Sequence, residues 1–70
     1  MMPEEILFLV EEALEGGFNA RSIGDSIFTQ ADTMDDLKIQ IKDALNVHFD
    51  TKDMPKIIRL HIVRDEVIAF

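Results

Sequence analysis

The stretch DTMDDLKIQIKDALNVHF, residues 32–49, decides the fold because the hydrophobic period of the chain changes there. Thr33 can cap a helix, with Asp36 at the third helical position of a capping-box variant. Apolar residues then recur at spacings of three and four, which predicts an amphipathic helix over about residues 34–49. Its apolar stripe comprises Met34, Leu37, Ile41, Ala44, Leu45 and His48.

Three strand-length segments precede this helix. Residues 6–10, ILFLV, form a continuous apolar run, which is typical of a strand buried on both faces. Residues 18–23 alternate loosely and residues 26–31 form a third short segment of strand character. Gly16-Gly17 and Gly24-Asp25 supply the turns between them. Short turns between consecutive strands predict an antiparallel meander.

A fourth strand is predicted after the helix. Residues 50–55 break the helical pattern and indicate a loop, and residues 56–63 are rich in β-branched side chains. Residues 67–70 either continue this strand or form a short return strand. The order is therefore βββαβ, one α+β domain over residues 1–70. If the last strand joins the same sheet, a right-handed crossover places it parallel to a strand of the meander.

A single helix covers only one face of a four-stranded sheet, so the second face needs another cover. The last strand carries apolar residues of both parities, with Ile58, Leu60 and Ile62 on one face and Ile57 and Val63 on the other. An uncovered, partly apolar face marks an interaction site. We therefore predict a homodimer. The residues predicted at the dimer or partner interface are Arg21, Gln30, Arg59 and His61.

Composition narrows the possible partners. Fourteen acidic and seven basic residues give a formal net charge of −7, which disfavours direct nucleic-acid binding and favours a basic protein partner. The absence of cysteine excludes disulfides and zinc–thiolate sites, so a 70-residue chain gains stability most readily by oligomerisation. The acidic N-terminus lacks the basic start of a signal peptide, and residues 6–10 are too few to span a bilayer. We expect a cytoplasmic protein without membrane association.

Three local features together resemble the N-terminal domain of HicB-type antitoxins. They are GGFNA at residues 16–20, TQADT at residues 29–33, and the acidic helix start DDL at residues 35–37 with Asp43-Ala44 further along. The resemblance covers about residues 6–63 and is to a short, stand-alone member without a DNA-binding module. SIGDS at residues 22–26 stands where family members often have a proline–glycine turn. The resemblance implies a degenerate ribonuclease-H-like fold and the neutralisation of a small, basic, mRNA-cleaving toxin.

Catalysis is not expected from this sequence, and no catalytic, cofactor-binding or metal-ligating residue is assigned. A ribonuclease-H-like nuclease needs carboxylates within its central strands to hold metal ions, whereas Glu11, Glu12 and Asp65 fall at strand ends or in a turn. His48 suits packing or capping near the helix C-terminus, and His61 suits a surface or an interface. The alternatives are a stand-alone homodimeric regulatory domain, a metal-dependent nuclease that uses those carboxylates, and a weak RNA binder.

Overall fold

A computed structural model describes residues 4–70. Residues 1–3, part of the N-terminal segment used above to exclude a signal peptide, lie outside this description. The described part is an α+β structure with a four-stranded sheet and one α-helix, as predicted, and the predicted βββαβ order is confirmed. The elements are β1 Glu5–Glu12, β2 Phe18–Ser22, β3 Phe28–Ala31, α1 Met34–His48, a short 3₁₀ helix Thr51–Asp53, and β4 Ile57–Val63.

The sheet is mixed, with the strand order β3-β2-β1-β4. The β1, β2 and β3 strands form the predicted antiparallel meander. The β4 strand pairs parallel with β1, so that Phe8 lies opposite Leu60, and the predicted parallel placement of the last strand is confirmed. The first strand therefore occupies the centre of the sheet, while β3 and β4 form its two edges.

The core lies between α1 and one face of the sheet. The even-numbered residues of β1 form the sheet side of this core, and Phe8 and Val10 have no exposed surface. The apolar stripe of α1 forms the helix side of the core, through Leu37, Ile41 and Leu45. The helix packs mainly over β2 and β3. On the covered side of the edge strand β4, Ile58 and Leu60 are partly buried against the core, whereas Ile62 is open to solvent.

The helix begins where the sequence predicts and ends one residue earlier than predicted. The Asp36 N–H donates to Thr33 Oγ1 over 3.1 Å, which confirms the N-cap. At the other end, the Phe49 N–H donates to the Leu45 carbonyl, and Phe49 is the C-cap instead of the last helical residue. The assignment of His48 to the buried stripe is wrong. Its side chain is exposed because it faces the β2–β3 turn, where its Nε2 lies 3.9 Å from Asp25 Oδ1.

The strands β2 and β3 are shorter than predicted because the Ser22 side chain replaces backbone pairing where they meet. The Ser22 N–H donates to the Ile27 carbonyl, and the Ile27 N–H donates to Ser22 Oγ over 3.2 Å. These bonds close the turn and direct Ile27 into the core, where it is buried. As a result β2 ends at Ser22 instead of residue 23, and β3 begins at Phe28 instead of residue 26.

The segment after β4 differs from both predicted alternatives. Residues 64–70, which we call the tail, adopt no regular secondary structure, so they neither continue β4 nor return as a strand. Every tail residue is exposed, including the apolar Val67, Ile68 and Phe70. No other part of residues 4–70 covers these apolar side chains.

Candidate functional site

The side of the sheet that faces away from α1 has no covering element among residues 4–70, and we call it the open face. It carries the odd-numbered residues of β1, β2 and β4 and the even-numbered residues of β3, as the pairing register requires. Leu7 and Leu9 at its centre are half-buried. From β3 to β4 the open face consists of Phe28, Gln30, Asn19, Arg21, Glu5, Leu7, Leu9, Glu11, Ile57, Arg59, His61 and Val63.

The structure brings all four predicted interface residues onto this one face. Arg21 and His61 flank Leu9 in a row across the sheet that begins with Phe28. Gln30 lies in the next row, opposite Asn19, and Arg59 lies opposite Leu7. Their placement on a common face follows from strand parity. Their participation in an interface stays a prediction.

The open face has no formal net charge. Arg59 Nε donates a hydrogen bond to Glu5 Oε1. The positive charge of Arg21, the other arginine on this face, is equal in number to the negative charge of Glu11. His61 adds a positive charge only when it is protonated. The whole chain has a formal charge of −7, so all of that excess lies outside the open face. This face is therefore the part of the sheet surface where a second acidic molecule meets the least repulsion.

The apolar centre of this face was absent from the predicted interface. Leu7 and Leu9 alternate with the buried residues of β1, and Phe28 is 62% exposed at the β3 end of the central row. The signal was present in the unbroken apolar run of residues 6–10, because a strand without alternation has apolar side chains on both faces. Phe28 could not be assigned to a face because the adjacent Ile27 is equally apolar, and only the structure shows that Ile27 is the one that points into the core.

An acidic cleft lies at one end of the sheet. Its volume is about 860 Å³, and it is bounded by the β1–β2 loop, the end of β3 and the start of α1. The carboxylates that line it are Glu11, Glu12, Glu15, Asp32 and Asp36. Two of the three carboxylates of the nuclease alternative therefore lie at this cleft, whereas Asp65 lies in the tail and does not line it. In residues 4–70, no group of three or more acidic or histidine side chains has a metal-binding arrangement.

These features define a small α+β protein with one covered sheet face, one open sheet face and an acidic cleft. The chain is 46% identical over 52 residues to a UPF0150 protein of Archaeoglobus fulgidus, which covers 74% of this chain and 77% of the relative. It is 41% identical over 66 residues to a UPF0150 protein of Thermotoga maritima, covering 94% of this chain and 93% of the relative. The chain belongs to the UPF0150 family of uncharacterised proteins.

Two further comparisons found no counterpart. No family model matches the chain, and no solved structure matches it. In the part of the chain that the structure describes, no helix has the length and apolar character needed to cross a membrane.

Proposed function

We propose that this chain is a non-catalytic, cytoplasmic protein-binding domain that associates with a second copy of itself through the open face. The observation that supports this proposal is the combination of apolar side chains and zero formal charge on one face of a protein of charge −7. Burying Leu7, Leu9 and Phe28 against their counterparts removes apolar surface from water at about 25 cal/mol per Å².

Charge explains why this face is favoured over the rest of the surface. Two acidic molecules repel each other wherever their carboxylates approach within a Debye length, about 8 Å at physiological ionic strength. On the open face, Arg21 and Arg59 of one copy can instead approach Glu5 and Glu11 of the other. A two-fold arrangement makes every such contact twice, because both copies present the same surface.

We expect the substitution Phe28→Glu to halve the mass of the particle measured by sedimentation equilibrium at high micromolar concentration. The new carboxylate would lie at the β3 end of the central row of the open face, where association would bury it. Phe28 is exposed in the single chain, so the fold itself should tolerate the change and the circular dichroism spectrum should be retained.

The matched control is Val47→Glu. Val47 is 90% exposed on α1, belongs to neither the open face nor the lining of the acidic cleft, and its replacement introduces the same charge. We expect Val47→Glu to leave the mass of the particle unchanged. If both variants behave alike, or if the unsubstituted protein is monomeric throughout, the open face is not a self-association surface.

We propose in addition that the domain works as HicB-type antitoxins do, with a degenerate ribonuclease-H-like fold that sequesters a small basic mRNA-cleaving toxin. The acidic cleft supports this second function, because its five carboxylates provide a dense negative surface for lysine and arginine side chains. The same carboxylates oppose the phosphates of RNA, so the cleft favours a basic protein over a nucleic acid.

A growth-rescue assay tests the antitoxin function. The candidate toxin is any short, basic protein encoded next to the gene. Its expression should arrest growth, and co-expression of this chain should restore growth. The double variant Glu12→Lys/Asp36→Lys, which reverses two charges at the cleft, should lose the rescue. The control Asp35→Lys/Asp43→Lys makes the same change in net charge outside the cleft and should keep it. Rescue by both double variants, or the lack of any growth arrest, would count against an antitoxin role.

A further inference from the structure

The outer edge of β4 and the tail that follows it have complementary properties. Within residues 4–70, β4 pairs only with β1, so its other edge presents unpaired backbone N–H and C=O groups. In the tail, Val67 is 94% exposed and Ile68 is 86% exposed. An open strand edge and an exposed segment with apolar side chains can together form a β-augmentation contact.

We propose that β4 and the tail of one copy pair antiparallel with β4 and the tail of a second copy, about a two-fold axis at Asp65. The two four-stranded sheets then become one continuous eight-stranded sheet with both helices on the same side. This contact uses the edge of the sheet and is independent of the open-face contact proposed above.

The two-fold axis limits the possible registers. When it stands normal to the sheet, both copies turn the same face to the same side, so each residue must pair with a residue of equal parity. An axis at Asp65 pairs apolar residues with apolar residues and pairs Arg64 with the oppositely charged Glu66. It places Leu60 opposite Phe70, Ile62 opposite Ile68, Val63 opposite Val67 and Arg64 opposite Glu66.

The neighbouring registers are less favourable. An axis at Arg64 puts Ile62 opposite Glu66 and Arg64 opposite its own copy, and an axis at Val63 puts Leu60 opposite Glu66. Apolar residues opposite charges, and like charges opposite each other, weaken antiparallel pairs. With the axis at Asp65, the only like-charge pair is Asp65 with its own copy. The segment is complementary to itself over eleven residues, which identifies a second copy of this chain as the partner.

This pairing would also bury apolar surface on the side of the sheet that α1 covers. Because α1 lies over β2 and β3, Ile62 is 55% exposed although it points to the helix side. Ile68 and Phe70 of the second copy would lie on that same side, beside Ile62 and Leu60. Ile62, Ile68 and Phe70, which each chain alone leaves exposed, would then pack together beside the partly buried Leu60.

Disulfide trapping tests both the contact and its register, and the chain has no native cysteine to interfere. Directly opposite residues of antiparallel strands have Cα atoms about 4.5–5.5 Å apart, within the range that a disulfide bridges. The variant Asp65→Cys should therefore form disulfide-linked dimers at least tenfold faster than control variants under mild oxidation. The readout is a non-reducing gel followed over time.

The best control lies two residues away. In the proposed register, the two copies of position 67 are about 13 Å apart along the strands, too far for a disulfide. Val67→Cys and the exposed loop variant Leu14→Cys should therefore link only at the slow rate of random collision. Equal rates for Asp65→Cys and these two controls would overturn the proposal.

Particle mass separates this contact from the open-face contact. With both contacts present, we expect four chains per particle, and Ile68→Asp should halve that mass while the helix-surface control Val47→Asp should not. Ile68→Asp combined with Phe28→Glu should give a single chain. If only Phe28→Glu lowers the mass, the tail pairing is wrong. If only Ile68→Asp does, the tail pairing is supported and the open-face proposal is wrong.

Discussion

Phe8→Ala is expected to remove most or all of the stability of this protein. Phe8 is the largest side chain without exposed surface and lies at the centre of β1, the central strand that pairs with both β2 and β4. Truncating a buried phenylalanine costs about 3–5 kcal/mol, through lost transfer free energy and the cavity that remains. A domain of this size has a free energy of unfolding of only about 4–10 kcal/mol.

Urea unfolding followed by circular dichroism measures this effect. Leu14→Ala is the control, because Leu14 is fully exposed in the β1–β2 loop and its truncation should change the free energy of unfolding by less than about 0.5 kcal/mol. Both variants should be compared at the same protein concentration, since self-association adds to apparent stability. A loss below about 1 kcal/mol for Phe8→Ala would contradict the central position of this side chain in the core.

Gly17→Ala should also lower the free energy of unfolding substantially. Gly17 has a φ of +84°, and a Cβ atom there would lie 2.8 Å from the carbonyl oxygen of Ala31. The left-handed backbone alone costs a non-glycine residue about 1–2 kcal/mol. The contact adds to this cost because the opposing atom is backbone at the end of β3 and cannot rotate away. We expect a total loss of about 2–4 kcal/mol in the free energy of unfolding.

The adjacent glycine isolates the contribution of the contact. Gly16 has a φ of +98°, and a Cβ atom there would meet nothing within 4 Å. Gly16→Ala should therefore show the backbone cost alone, about 1–2 kcal/mol. Thermal or urea unfolding of the two variants side by side gives the difference. Equal losses would mean that the β1–β2 loop can move away from β3 without cost.

The elements whose formation depends on local signals were predictable from the sequence. The start of α1 was correct because the Thr33 hydroxyl and the acidic first turn act on groups within three residues. The faces of β4 were correct because side chains alternate strictly along a strand. Strand boundaries failed where a side chain replaces backbone pairing, as Ser22 does with Ile27. Propensity scales do not describe such a bond.

The candidate site was predictable only as a set of residues that share a face. Parity assigns Arg59 and His61 to one side of β4, but it does not show which residue of another strand lies beside them. The structure supplies that register and places Leu9 between Arg21 and His61. The acidic cleft was not predictable, because it joins carboxylates from the β1–β2 loop and the helix start, segments about 20 residues apart in the chain.

The parallel pairing of β1 with β4 has a consequence for how the protein is made. Every pair in that ladder joins residues 52 positions apart, as Phe8 with Leu60, so the ladder can form only after β2, β3 and α1 have been synthesised. Until then the ribosome holds a chain whose β1–β2–β3 meander and helix have emerged, while β1 itself is an unprotected edge. The most apolar strand of the protein is thus open to wrong pairing at the stage when many identical nascent chains lie close together on one messenger RNA.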